Sequence, residues 1–205
     1  MKPNLKPQWK PNWAWSLVTI IVLGSIVYFL NLFNTLGFNE ESTRKAIRIS
    51  AKIAVVLFSM AFGGAALHQL HQNPFTWWMR MNRRFLGISF AILHLIHLFF
   101  LGFLHRYFDP VFSNKPILDL LGGGIAYIFI ILMLFTSFSR FSTQLSPKNW
   151  KFLHRMGGYI VLTFFSLSYV KIAMGSSGFM PIVAMLGIVW LARLMDSSLL
   201  KKRTD

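Results

Sequence analysis

The chain contains no cysteine and only six acidic residues in 205. Without thiols there is no disulfide, no thiolate metal site and no iron–sulfur cluster. Charge of any sign is scarce: 13% of residues are charged, against 55% hydrophobic. That balance excludes a disordered chain and suits a soluble domain of this length poorly. No G-x-G-x-x-G unit and no G-x-x-x-x-G-K-[ST] loop occurs, so neither signature of a nucleotide-binding domain is present. No internal repeat and no low-complexity tract is visible.

What the chain has in quantity is charge-free length. Residues 11–39, 53–79, 85–105, 120–139 and 172–192 contain no Asp, Glu, Lys or Arg. Each can cross about 30 Å of hydrocarbon as a helix. A sixth run, Met156–Val170, reaches span length if His154 and Lys171 snorkel toward the two interfaces. The pattern predicts an all-α integral membrane bundle of six transmembrane helices, at 13–33, 46–71, 83–104, 118–140, 152–173 and 179–198. Residues 1–12 and 199–205 read as tails on either side of one domain, 13–198. Lys2, Lys6 and Lys10 precede an apolar run that lacks a small-x-small cleavage site, which predicts an uncleaved first helix.

The net charge of +15 raises nucleic acid as a partner. The basic residues fall mainly between apolar spans, so lipid anchoring and topology explain them, and nucleic-acid binding is not expected. One side collects fourteen: Lys2, Lys6, Lys10, Arg80, Arg83, Arg84, Arg140, Lys148, Lys151, Arg155, Arg193, Lys201, Lys202 and Arg203. The other has seven: Arg44, Lys45, Arg48, Lys52, Arg106, Lys115 and Lys171. Both termini are therefore expected in the cytoplasm. Asn73-Pro74, Asp109-Pro110 and Ser146-Pro147 are turn or helix-start signals.

Histidine is the residue type that stands out. A polar ring in hydrocarbon is costly and commonly functional. Taking Arg84 as the cytoplasmic edge of the third helix, His94 lies ~15 Å deep, His97 ~20 Å and His105 ~31 Å, at the far interface. His68 and His71 end the second helix and His154 opens the fifth, all on the cytoplasmic side. Two levels follow: His68, His71 and His154 at one interface, His94 and His97 in the middle. Within each of the pairs His68/His71 and His94/His97, the i,i+3 spacing puts both rings on one helix face. Such a pair cannot supply both trans ligands of one iron, so one ring would be a supporting group or would serve a second cofactor. The plainer alternatives are an interhelical hydrogen bond for His94 and His97, and contact with headgroups for His68, His71 and His105. Gly63-Gly64, Gly122-Gly123-Gly124 and Gly157-Gly158 invite close helix packing first and a flat macrocycle second.

Two segments carry a resemblance. Arg83-Arg84-Phe85-Leu86-Gly87 is followed by His97 ten residues after the glycine. Trp150-Lys151-Phe152-Leu153-His154-Arg155 leads to Tyr159. Order and spacing resemble the ferric reductase-like transmembrane domains, over roughly residues 45–175. They are most similar to small six-helix haem subunits that serve a periplasmic methionine-sulfoxide reductase. The resemblance implies a bacterial inner-membrane protein with b-type haem, moving electrons from a quinol or a reductase partner to an acceptor, with quinone or flavin supplied by a partner. It implies His97 as a haem-iron ligand and His154 as the histidine opening the fifth helix. The family's second fifth-helix histidine would fall thirteen residues past His154, where the chain has Leu167, or Ser168 with one residue of slack. Tyr169 and Lys171 are the nearby substitutes. Three readings stay open: haem on His97 alone or with another side chain, haem between His154 and His68 or His71, or a haem-free scaffold of the same fold. A small-solute transporter fits less well, because no inverted repeat is visible.

Overall fold

The computed structural model describes residues 12–108 and 117–201, and it is all-α. The helices are α1 (Asn12–Leu36), α2 (Glu40–Leu70), α3 (Pro74–Tyr107), α4 (Ile117–Phe135), α5 (Ser139–Ser142), α6 (Pro147–Gly175) and α7 (Met180–Lys201). A 3-10 turn, Ser177–Phe179, joins the last two. Five helices are long and apolar enough to cross a membrane: α1, α2, α3, α6 and the segment Ser177–Asp196. In α4 the apolar stretch Gly123–Phe135 is shorter than that threshold. The N-terminal tail with Lys2, Lys6 and Lys10, the Asp109-Pro110 turn, Lys115, and Lys202 and Arg203 of the C-terminal tail lie outside the described residues.

Three helices begin earlier than their apolar runs predict. α2 starts at Glu40 rather than 46, α3 at Pro74 rather than 83, and α6 at Pro147 rather than 152. The intervals 71–84 and 140–155 are thus mostly helix, not loop. Local chemistry sets each start. Asn39 and Asn73 each accept from the backbone N–H three residues on, and Ser42 and Thr76 each return a hydroxyl to the cap residue's N–H. Ser146 caps α6 through the Asn149 N–H, with Pro147 as the next residue. A capping box with proline in the first helical position is a strong start. Charge marks where hydrocarbon ends; it does not mark where a helix ends. α4 conversely stops at Phe135, short of the expected 140, and a turn leads into α5.

Ring contacts define the two ends of the bundle. Trp15 packs edge-on against Phe85 at 5.4 Å and stacks on Phe138 at 6.0 Å. The start of α1, the first part of α3 and the turn after α4 therefore share one end. The Arg193 guanidinium lies 4.3 Å from the Phe62 ring centroid and near Tyr159, which brings the last part of α7 toward that end. Toward the other end Lys52 of α2 lies over Phe179 of the turn between α6 and α7. In the α1–α2 turn Gly37, at φ 73°, adopts the left-handed conformation that closes α1.

The core is apolar and runs through five helices. Val55, Phe58, Leu86, Phe90, Leu93, Ile130, Leu162, Phe165, Leu186 and Val189 form one buried cluster. A second, smaller one joins Phe29 and Phe33 of α1 to Ala46 and Phe100. Glycines make the tightest approaches. A Cβ at Gly64 would lie 2.7 Å from that of Met79, and one at Gly157 2.9 Å from Met133 Sδ. A Cβ at Gly158 would overlap the Phe62 ring. Gly123 and Gly124 do not follow the expectation: nothing lies within 4 Å of a Cβ added there. Ile20, Val27, Leu30, Leu167 and Leu191 are exposed, as expected of side chains whose solvent is lipid.

Candidate functional site: an intramembrane histidine pair on the third helix

Of the five candidate histidines, His94 and His97 are brought into ring contact. They sit one turn apart on α3, with centroids 5.2 Å apart and planes 12° from parallel. Parallel planes send the in-plane lone pairs of the two rings past each other. The pair cannot converge on a single ion, and the structure keeps the two roles separate.

His97 is anchored. Its Nδ1 lies 3.1 Å from the Ile47 carbonyl and 3.1 Å from Ser50 Oγ, both on α2. A carbonyl only accepts, so Nδ1 carries the proton and donates. The Ser50 hydroxyl in turn donates to Ile47 O at 3.0 Å. The lone pair is thereby left on Nε2. This is how ligand histidines are commonly held, with the second nitrogen donating to a backbone carbonyl that fixes tautomer and ring plane.

His94 is caged instead. Its ring stacks on Tyr127 at 4.9 Å and meets the edge of Phe165 at 5.3 Å, with Phe90 at 5.6 Å. Its Nδ1 is buried and has no hydrogen-bond partner among the described residues. An unmet polar atom in such a site costs roughly 1–3 kcal/mol. The cage therefore holds His94 by ring packing alone.

Of the remaining candidates, His68 and His71 lie at the end of α2. His154 lies about two turns inside α6 and does not open it, because the Ser146 cap starts that helix at Pro147. His68 Nδ1 is 3.1 Å from Thr76 Oγ1, whose own proton goes to the His71 carbonyl at 2.8 Å. His68 is thus the donor, and it ties α2 to the capping box of α3. His71 is exposed. His154 stacks on Trp150 at 4.1 Å, and its Nε2 lies 3.0 Å from Thr136 Oγ1. The Thr136 hydroxyl donates to Leu132 O at 2.7 Å, so His154 Nε2 is the donor here also. Trp150 Nε1 completes the arrangement by donating to Thr136 O. His154 joins α6 to the end of α4. His105 is exposed near the end of α3.

A b-type haem requires an imidazole nitrogen with a free lone pair, and the contacts of His97 Nδ1 leave one on its Nε2. The α6 side offers no opposed imidazole. Leu167 is 63% exposed and Ser168 is exposed as well. The α6 residues that face inward at this level are Phe165 and Tyr169. Tyr169 packs between Phe165 and Phe179, and Lys171 is exposed. The donor set fits a haem held through one histidine and does not fit bis-histidine ligation. Among the described residues, no three His, Asp or Glu side chains group to hold a bare metal ion.

The sequence reading missed Ile47, Ser50 and Tyr127. A lone hydroxyl between apolar residues was the available signal for Ser50; the carbonyl of Ile47 carries none. No protein-family profile matches the chain, and no curated protein matches it.

Proposed function

We propose that this chain is a membrane electron-transfer protein that binds b-type haem through His97. The carrying observation is the anchoring of His97 Nδ1 on Ile47 O and Ser50 Oγ, which leaves Nε2 as the free donor. A haem bound there supplies one-electron redox chemistry inside the bilayer. The chain's part is structural. α2 fixes the imidazole plane, and His94, itself packed among Phe90, Tyr127 and Phe165, stacks on the His97 ring. The donor is a quinol or a reductase partner. In this reading α4 completes a sixth span, both termini are cytoplasmic, and the membrane is a bacterial inner membrane.

A haem-free scaffold of the same fold is the second reading. The observation favouring it is the aromatic cage: Phe90, Tyr127 and Phe165 close around His94, and the α6 positions where a second histidine would fall face outward.

Visible spectra of the purified protein, oxidised and dithionite-reduced, decide between them. Expression with ample haem should yield a Soret band that His97→Ala abolishes or shifts. His154→Ala should leave the band in place. Absence of any band in the wild type establishes the scaffold reading.

A further inference from the structure

We propose that the end of the bundle formed by the starts of α3 and α6 is a binding surface for an anionic phospholipid headgroup. The proposal is independent of haem. Seven cations are exposed there: Arg80, Arg83 and Arg84 on α3, Arg140 on α5, and Lys148, Lys151 and Arg155 on α6. Both long helices start at this end and run inward together. On α3 the spacing 80, 83, 84 places three guanidinium groups on one face, and on α6 the spacing 148, 151, 155 does the same. The two faces are close. Both flank the turn after α4: Trp15 packs on Phe85 of α3 and on Phe138 of that turn, while Trp150 and His154 of α6 bond Thr136 in the same turn.

Among the described residues these cations meet no counter-charge. The described ion pairs engage Arg44 with Glu40, Lys45 with Glu41, and Arg193 with Asp196. Glu40 and Glu41 lie at the opposite end, and Asp196 is buried. None of the seven makes an ion pair among the described residues. Like charges one turn apart repel each other, so an external anion relieves the cluster.

The apolar residues between the cations favour lipid over an acidic protein. Phe75, Met81, Phe152 and Met156 are exposed among them, Phe152 at 65%. A surface that alternates long cations with bare Phe and Met matches a molecule with phosphate at one level and acyl chains just below. Basic clusters beside spans are the usual partners of anionic headgroups, and Lys and Arg stems reach the phosphate level while covering apolar surface.

The test uses the full chain in bilayer nanodiscs of phosphatidylcholine with phosphatidylglycerol, reading retained lipid by native mass spectrometry. Wild type should retain phosphatidylglycerol in preference to phosphatidylcholine. The triple variants R80Q/R83Q/R84Q and K148Q/K151Q/R155Q should each weaken that preference on the order of a hundredfold, at roughly fivefold per charge. The variant R44Q/K45Q, at the opposite end, should match wild type. Should the triple variants fail to fold, a salt titration of wild type stands in, and the preference must fall as ionic strength rises. Equal retention of the two lipids, a salt-independent preference, or triple variants no weaker than R44Q/K45Q would overturn the proposal. Triple variants that keep phosphatidylglycerol but lose binding to poly-glutamate would also overturn it, in favour of an acidic protein surface.

Discussion

At the residue scale, the proposed haem site turns on which nitrogen of each histidine is committed. His97, His68 and His154 all donate to oxygen, yet only His97 does so deep in the bundle, against a backbone carbonyl fifty residues away. Ser50→Ala removes one of the two Nδ1 contacts and leaves the Ile47 carbonyl in place. The expected result is retained haem with a shifted reduction potential or band position, measured by redox titration against wild type. Loss of the band altogether would mean that Ser50 is more than a positioning group. Gly158 supplies a stability test. Its missing Cβ leaves room for the Phe62 ring, so Gly158→Ala should cost about 1–3 kcal/mol by overpacking. Gly24→Ala, where nothing lies within 4 Å, should cost nothing measurable. Thermal unfolding in detergent compares the two.

At the element scale, the helices outrun the membrane. α3 has 34 residues, about 51 Å at 1.5 Å per residue, against a hydrocarbon thickness of about 30 Å. Its first ten residues stand beyond the apolar span and carry Arg80, Arg83 and Trp77. The Asn73–Thr76 capping box holds that extension together, and Thr76 also receives His68. Asn73→Ala should destabilise the extension by about 1 kcal/mol. Faster amide exchange over residues 74–84, with the rest of α3 unchanged, is the expected signature. Exchange that is uniform along α3 would show that the cap contributes nothing local. These starts were legible in the Asn-Pro and Ser-Pro pairs, but the charges nearby pointed to loops. Charge reports solvent, and a helix in water obeys its caps.

At the scale of the whole molecule, the α2–α3 turn, the α4–α6 turn and both outer ends of α1 and α7 lie at one end of the bundle. The absence of cysteine makes the topology directly testable. Single cysteines at Met81 and Ser146 should react with a membrane-impermeant maleimide from one side only. A cysteine at Glu40 should react from the other. Labelling of all three from the same side would overturn both the orientation and the six-span reading. The +15 charge belongs to this scale too, because it is spread by topology and not gathered into a soluble module.

The sequence by itself determined the class of molecule. Charge-free runs long enough to cross hydrocarbon require helices, because lipid offers the backbone no other hydrogen-bond partner. It also located the helix order, the cationic end and the histidine-bearing segments, since each depends on residue type and local spacing. Only the tertiary structure decided which side of each helix faces inward. Leu167 and Ser168 turn out toward lipid, whereas Phe165 and Tyr169 turn in. It alone separated an anchored His97 from a caged His94, because helix rotation and register are set by packing between distant segments. In an apolar run every face reads alike, so periodicity carries too little contrast to fix that rotation.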